Sequence, residues 1–174
     1  MVETSDEEVK TVVIEELGRI EESSRDSAQS QFEQSKQWRA INLALGIPAS
    51  ALAAIAGATA LSITSGRIAA GLIALASAAL GAVLTSLNPN MRAAQAGAAA
   101  NSFLSIQTAA RQARAIVVPA VTASEARTIL AELTARRDKQ NADSVIPNKF
   151  AYRRGQANIS SGSQTYEVDK DGRS

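Results

Sequence analysis

"AINLALGIPASALAAIAGATALSIT", Ala40 to Thr64, and "IAAGLIALASAALGAVLTSL", Ile68 to Leu87, decide the fold of this chain. The first is 25 residues long and the second 20, and an α-helix needs about 20 apolar residues to cross roughly 30 Å of hydrocarbon. No charge occurs from Ala40 to Gly66 or from Ile68 to Met91, which leaves Arg67 alone between the two segments. Neither segment has a polar face, and a helix apolar all round must be enclosed completely by protein or lipid. The sequence therefore predicts an all-α protein built on a two-transmembrane helical hairpin, with transmembrane helix 1 over 40–64, a turn at 65–67 and transmembrane helix 2 over 68–87. The competing reading is a helical hairpin at the centre of a soluble bundle, which the alanine content permits. The flanking helices, with one narrow apolar stripe each, could cover such a hairpin only in part.

Outward from the hairpin the charge is segregated. Residues 1–35 carry ten acids against Lys10, Arg19 and Arg25, and residues 92–174 carry twelve bases against seven acids. Lys36 and Arg39 precede the first span and Arg92 follows the second, so the positive-inside rule puts both termini in the cytoplasm of a cell whose inner membrane the hairpin crosses. Trp38, Arg39 and Arg67 are the candidate interface anchors: an aromatic and a base at the cytoplasmic side, and an arginine reaching headgroups from a "TSGR" turn at the far side, where Gly66 can take positive φ. The apolar stretch opens well inside the chain, after an acidic segment, unlike a cleaved signal peptide.

The cytoplasmic parts are expected to be helical N-terminal helices (1–39), C-terminal helices with a docked segment (88–157), and a flexible tail (158–174). In the first part, Ser5 and Glu8 have capping-box spacing, with Val9, Val13, Leu17 and Ile20 on one stripe. A second helix is expected from about Arg25 through Trp38 into the first span. Asn88-Pro89 should break or restart the helix, an alanine-rich helix should end at Pro119, and Thr122 with Glu125 should cap a helix carrying Ile129, Leu130 and Leu133 to about Lys139.

Function classes narrow by elimination. Histidine and cysteine are both absent, which removes the commonest general base, the thiolate nucleophile and the usual zinc ligands. No phosphate loop or spaced carboxylate pair appears, so the chain is not read as an enzyme, and no catalytic, cofactor-binding or metal-binding residue is nominated. Aromatics make up 3%, too few for base-stacking platforms. Arg136, Arg137, Lys139, Arg153 and Arg154 are expected to pair with the acidic N-terminal region, including Glu15, Glu16, Glu21 and Glu22, which disfavours nucleic acid as a partner.

Within the spans, Ala70, Ala74, Ser77, Gly81, Thr85 and Asn88 fall within about 80° of one another on a helical wheel. Ile68, Leu72, Leu75 and Val83 lie opposite. In lipid, small residues matter because they let backbones approach. Ser77, Gly81, Thr85 and Asn88 are accordingly the candidate helix-packing or pore-lining positions, and Gly46, Ser50, Ala54, Ala58 and Ser62 are the matching small residues of the first span. One hairpin encloses no channel, so a conducting form requires a homo-oligomer.

The stretches "FEQSKQWRAINLALGIPASALAAIAGATAL" (32–61), "LNPN" (87–90) and "IPNKFAYRRGQANISSGSQTYEVD" (146–169) resemble, in their order and spacing, the SLATT domain of two-transmembrane effectors in bacterial conflict systems. That resemblance implies an antiphage membrane effector that oligomerises and breaches the inner membrane when triggered. It also implies a nucleotide-synthesising or sensor partner, here expected from a separate gene product. A non-conducting anchor or scaffold for a cytoplasmic partner is the alternative.

Overall fold

The computed structural model describes residues 2–62 and 67–161, with side chains for 6–60 and 68–161. It is all-helical over those residues: α1 (Val2–Ser62), α2 (Arg67–Leu87), α3 (Pro89–Gln112), a π-helical turn (Ala113–Val117), α4 (Val118–Ala120), α5 (Ala123–Asp143) and α6 (Lys149–Ser160). Two compact units result, one of Met1–Gln34 with Ala96–Ser174, the other of Ser35–Gln95.

The first unit is built on the stripe that the sequence shows. Val13, Leu17 and Ile20 of α1 are buried with Ile106 and Ala110 of α3, Ala113, Val118, and Ala126 and Leu133 of α5, while Val9, Ile129 and Leu130 pack at the margin. The separate second helix expected from about Arg25 does not form. α1 runs through "EESSRD" because the buried face continues at the same three- and four-residue steps through Ser24, Ala28, Gln31 and Ser35, with Ser24 fully buried. Small and polar residues here fill the face that aliphatic residues fill upstream. α1 also already includes Ser5, so the helix starts before the expected cap; the Ser5 side chain lies outside the described residues.

Each later boundary has a local cause. Asn88 ends α2 with φ of 43°, a left-handed conformation that asparagine tolerates, and Pro89 disfavours a helical residue before it. Asn88 then turns its side-chain oxygen to the Met91 backbone N–H at 3.4 Å, opening α3 with proline at its first position. The expected stop at Pro119 is displaced. Proline has no N–H to give the preceding turn; the helix widens, the Val118 N–H donates to the Ala113 carbonyl, and helix continues to Ala120.

Thr122 caps α5 as expected, in a full capping box with Glu125, but α5 extends to Asp143, four residues past the anticipated Lys139. The docked segment is a helix, α6, capped by Asn148, whose side chain accepts from the Ala151 N–H at 2.8 Å. Because Asn158 and Ile159 are half-buried, α6 also takes in residues 158–160, the start of the expected tail. Residues 162–174 lie outside the described residues.

Candidate functional site

In the unit of Ser35–Gln95, the apolar part of α1 lies against α2. The Ser77 hydroxyl donates to the Ala49 carbonyl at 2.8 Å. A Leu84 methyl lies 3.9 Å from where a Cβ on Gly46 would stand, so contacts advance along α1 as they retreat along α2. A cleft of about 650 Å³ follows, walled by Ala53, Ala56, Gly57, Ala70, Gly71 and Ala74 among others. On α2 the covered face comprises Ala70, Ile73, Ser77, Leu80, Gly81, Leu84 and Leu87; on α1 it comprises Asn42, Leu45, Gly46, Ala49, Leu52, Ala56 and Thr59.

The expected ribbon is thus divided. Ser77 sits on the helix contact, whereas Gly81 is half-buried with open space where a Cβ would stand. Thr85 is exposed and returns its hydroxyl to the Gly81 carbonyl of its own helix at 2.9 Å, and Asn88 stands in the break after α2, serving the turn. On α1, among the described residues, Gly46 alone of the proposed fours is covered; Ser50, Ala54 and Ala58 are exposed, and the side chain of Ser62 lies outside the described residues. The reason is geometric: steps of four residues drift by about 40° each against a period of 3.6, so a contact line mixes threes with fours, as Gly46, Ala49, Leu52 and Ala56 do.

The outer faces are bare. Ile47 and Ile55 on α1 and Ile68, Leu72, Leu75 and Val83 on α2 are exposed, Ile68 to 79% and Leu75 to 68%. α1 and the helical run opening at Ile68 are both long and apolar enough to cross a membrane, and the most apolar stretch of each is only 6% buried within the protein. The core helix of a soluble bundle would be mostly covered.

At the base of this unit, α1 meets α3. The Ser35 hydroxyl donates to the Ala93 carbonyl at 2.9 Å, and the Arg92 guanidinium lies 5.0 Å from the centre of the half-buried Trp38 ring, a cation–π distance. Arg92 also donates from Nε to the Leu87 carbonyl at 2.9 Å, satisfying the end of α2. Arg39 is exposed. The turn at 65–66 and the side chain of Arg67 lie outside the described residues.

The unit of Met1–Gln34 with Ala96–Ser174 holds a feature that residue types alone concealed: a buried polar seam between α1 and the chain from Val145 to Asn158. Gln31 donates to the Val145 carbonyl at 2.8 Å, and the Asn148 N–H donates to the Gln34 side-chain oxygen at 3.1 Å. Gln156 donates to Asp26 at 3.1 Å and Asn158 to Glu33 at 3.0 Å, with Arg154 3.7 Å from the same Glu33. At Gly155 the helices nearly touch, since an added Cβ would stand 2.8 Å from the Ser30 backbone nitrogen.

Ion pairing meets expectation in part: Arg154 reaches Glu33 of the acidic N-terminal region. Glu21 pairs with Arg114 at 3.0 Å, Glu16 with Arg19 of its own helix, and Arg137 with Asp138; among the described ion pairs none joins Glu15, Glu16, Glu21 or Glu22 to Arg136, Arg137, Arg153 or Arg154. Glu21 instead finds Arg114, a base in the apolar run before Pro119. Among the described residues no group of three or more acidic, histidine or cysteine side chains could hold a metal ion. No protein-family model, no curated protein and no solved structure matches this chain.

Proposed function

We propose that the chain is a membrane protein whose apolar α1 segment and α2 cross the inner membrane of a bacterium as a hairpin, both termini cytoplasmic, and that it acts as an oligomerising effector which breaches that membrane when triggered. The observation that carries the reading is the bareness of the two apolar helices. A monomer in water would expose Ile47, Leu72 and Leu75 at high cost per apolar area, whereas lipid covers them without further protein.

The breach rests on the inner side of the hairpin. Ser77 and Gly46 mark where the helices meet, and the Ala- and Gly-walled cleft beyond them gives a neighbouring copy's helix a place for close backbone approach. The antiphage role and the separately encoded nucleotide-synthesising or sensor partner follow from the resemblance to SLATT-domain effectors. The other reading, a non-conducting anchor, is supported by the large helical unit of Met1–Gln34 with Ala96–Ser174, which offers a partner ample surface.

Alkaline carbonate extraction tests membrane residence: protein in the pellet is expected, and recovery in the supernatant sinks both readings. A reporter inserted at Gly66 should be periplasmic. Depolarisation of triggered cells separates effector from anchor, since an anchor leaves the membrane potential unchanged.

A further inference from the structure

The connection from α5 to α6 and the outer side of α6 form a surface that the rest of the molecule leaves open. Ile146 is 87% exposed, and Phe150 is more than half exposed. Lys149, Phe150 and Arg153 share the outer side of α6, opposite Ala151 and Gly155, which are buried toward α1. From Ser144 to Ser161 the chain has three bases and no acid: Lys149, Arg153 and Arg154 are its only charges. Arg154 is engaged by Glu33 and its guanidinium lies 5.5 Å from the centre of the Phe150 ring, whose remaining face stays open; Lys149 and Arg153 enter no ion pair among the described residues.

We infer that Ile146, Lys149, Phe150 and Arg153 form a docking surface for anionic phospholipid headgroups, with the aliphatic and aromatic side chains entering the interface and the two cations lying among phosphates. The inference rests on the membrane reading above. Charge complementarity selects the occupant: an uninterrupted cationic face matches a negatively charged leaflet, and each such cation favours binding there by about fivefold. Phe150 and Ile146 supply the apolar contact that distinguishes an interfacial helix from a merely solvated basic one. Because the same chain carries the spans, the surface competes for lipid at high effective concentration, so a few contacts suffice.

The test uses the full chain in lipid nanodiscs. The natural sequence has no cysteine, so Ile146→Cys accepts a single environment-sensitive fluorophore. In discs containing phosphatidylglycerol the label should shift to the blue and become shielded from iodide, in phosphatidylcholine discs it should stay accessible, and raised salt should weaken the difference. Lys149→Glu with Arg153→Glu should abolish it, while the protein remains in the disc. A label equally accessible in both lipids, or already shielded in detergent, overturns the surface but leaves the spans standing. A stronger response to an RNA oligomer than to phosphatidylglycerol overturns it in favour of nucleic acid. Protein recovered outside the discs overturns the membrane reading and this inference together.

Discussion

Ser77 of α2 gives its hydroxyl proton to the Ala49 carbonyl of α1 at 2.8 Å, the one side-chain hydrogen bond described between the two apolar helices. A hydroxyl used this way in an apolar contact both ties the helices and sets how near they come. Ser77→Ala should cost about 0.6 kcal/mol, as such interhelical bonds do in membranes. On the effector reading proposed above, Ser77→Leu should instead part the helices and abolish dye leakage from liposomes holding triggered protein, with membrane extraction unchanged. Leu72→Ala and Leu75→Ala, on the bare side, should leave leakage intact. Equal loss on both faces would show that the α1–α2 contact does not govern leakage.

Gly155 and Gly18 should respond to alanine with opposite sign. A Cβ at Gly155 would meet the Ser30 backbone at 2.8 Å, and backbone cannot move aside as a side chain can; Gly155→Ala should destabilise by roughly 1–3 kcal/mol. At Gly18 the nearest atom is Nη1 of Arg114, at an ordinary 3.6 Å, so Gly18→Ala should stabilise by about 0.5–1 kcal/mol through helix propensity alone. Denaturant unfolding of the two variants checks both signs.

The capping box of α5 should make its stability acid-sensitive. Hydrogen bonds from the Thr122 backbone N–H, and then from its hydroxyl, hold the Glu125 carboxyl below its usual range. A group with a depressed folded pKa contributes above its unfolded pKa and loses that contribution as pH falls through the folded value. Thermal melts of wild type and Glu125→Gln should therefore differ at neutral pH and converge in acid. A constant difference would remove the carboxylate from the account. Thr122→Ala, which deletes the cap itself, should cost about 1 kcal/mol at neutral pH.

A double-mutant cycle on Glu21 and Arg114 should return a coupling of about 0.2–1 kcal/mol, the usual range for partly exposed pairs. The corresponding cycle on Glu21 and Arg136 should return none. Coupling in the second cycle would mean that the acidic helix reaches the basic end of α5 in a neighbouring copy.

Much of this was legible in the residues, for reasons that differ along the chain. Val13, Leu17 and Ile20, the pairing of Thr122 with Glu125, and the Asn88-Pro89 break are written in residue types with strong local preferences, and α2 falls within a residue of its expected bounds. The uninterrupted α1 was not read because Ser24, Gln31 and Gln34 are types normally found outside; their spacing from Ile20 was the available sign. α6 was hidden by its turn-like composition, although Asn148 two residues after Ile146 is a good cap. In the apolar pair, a wheel drawn from one helix finds the small residues but not the partner's direction. Ser77, on the contact, therefore shares its arc of the wheel with Gly81, where a Cβ would meet open space, and with Thr85 and Asn88, which face elsewhere.

The seam of amides and carboxylates between α1 and the chain through α6 has a thermodynamic character of its own. Parting it exchanges each protein partner for a water molecule at small net loss, whereas closing it out of step would strand buried amides at the full desolvation cost. Such a joint is strict about alignment and lenient about separation.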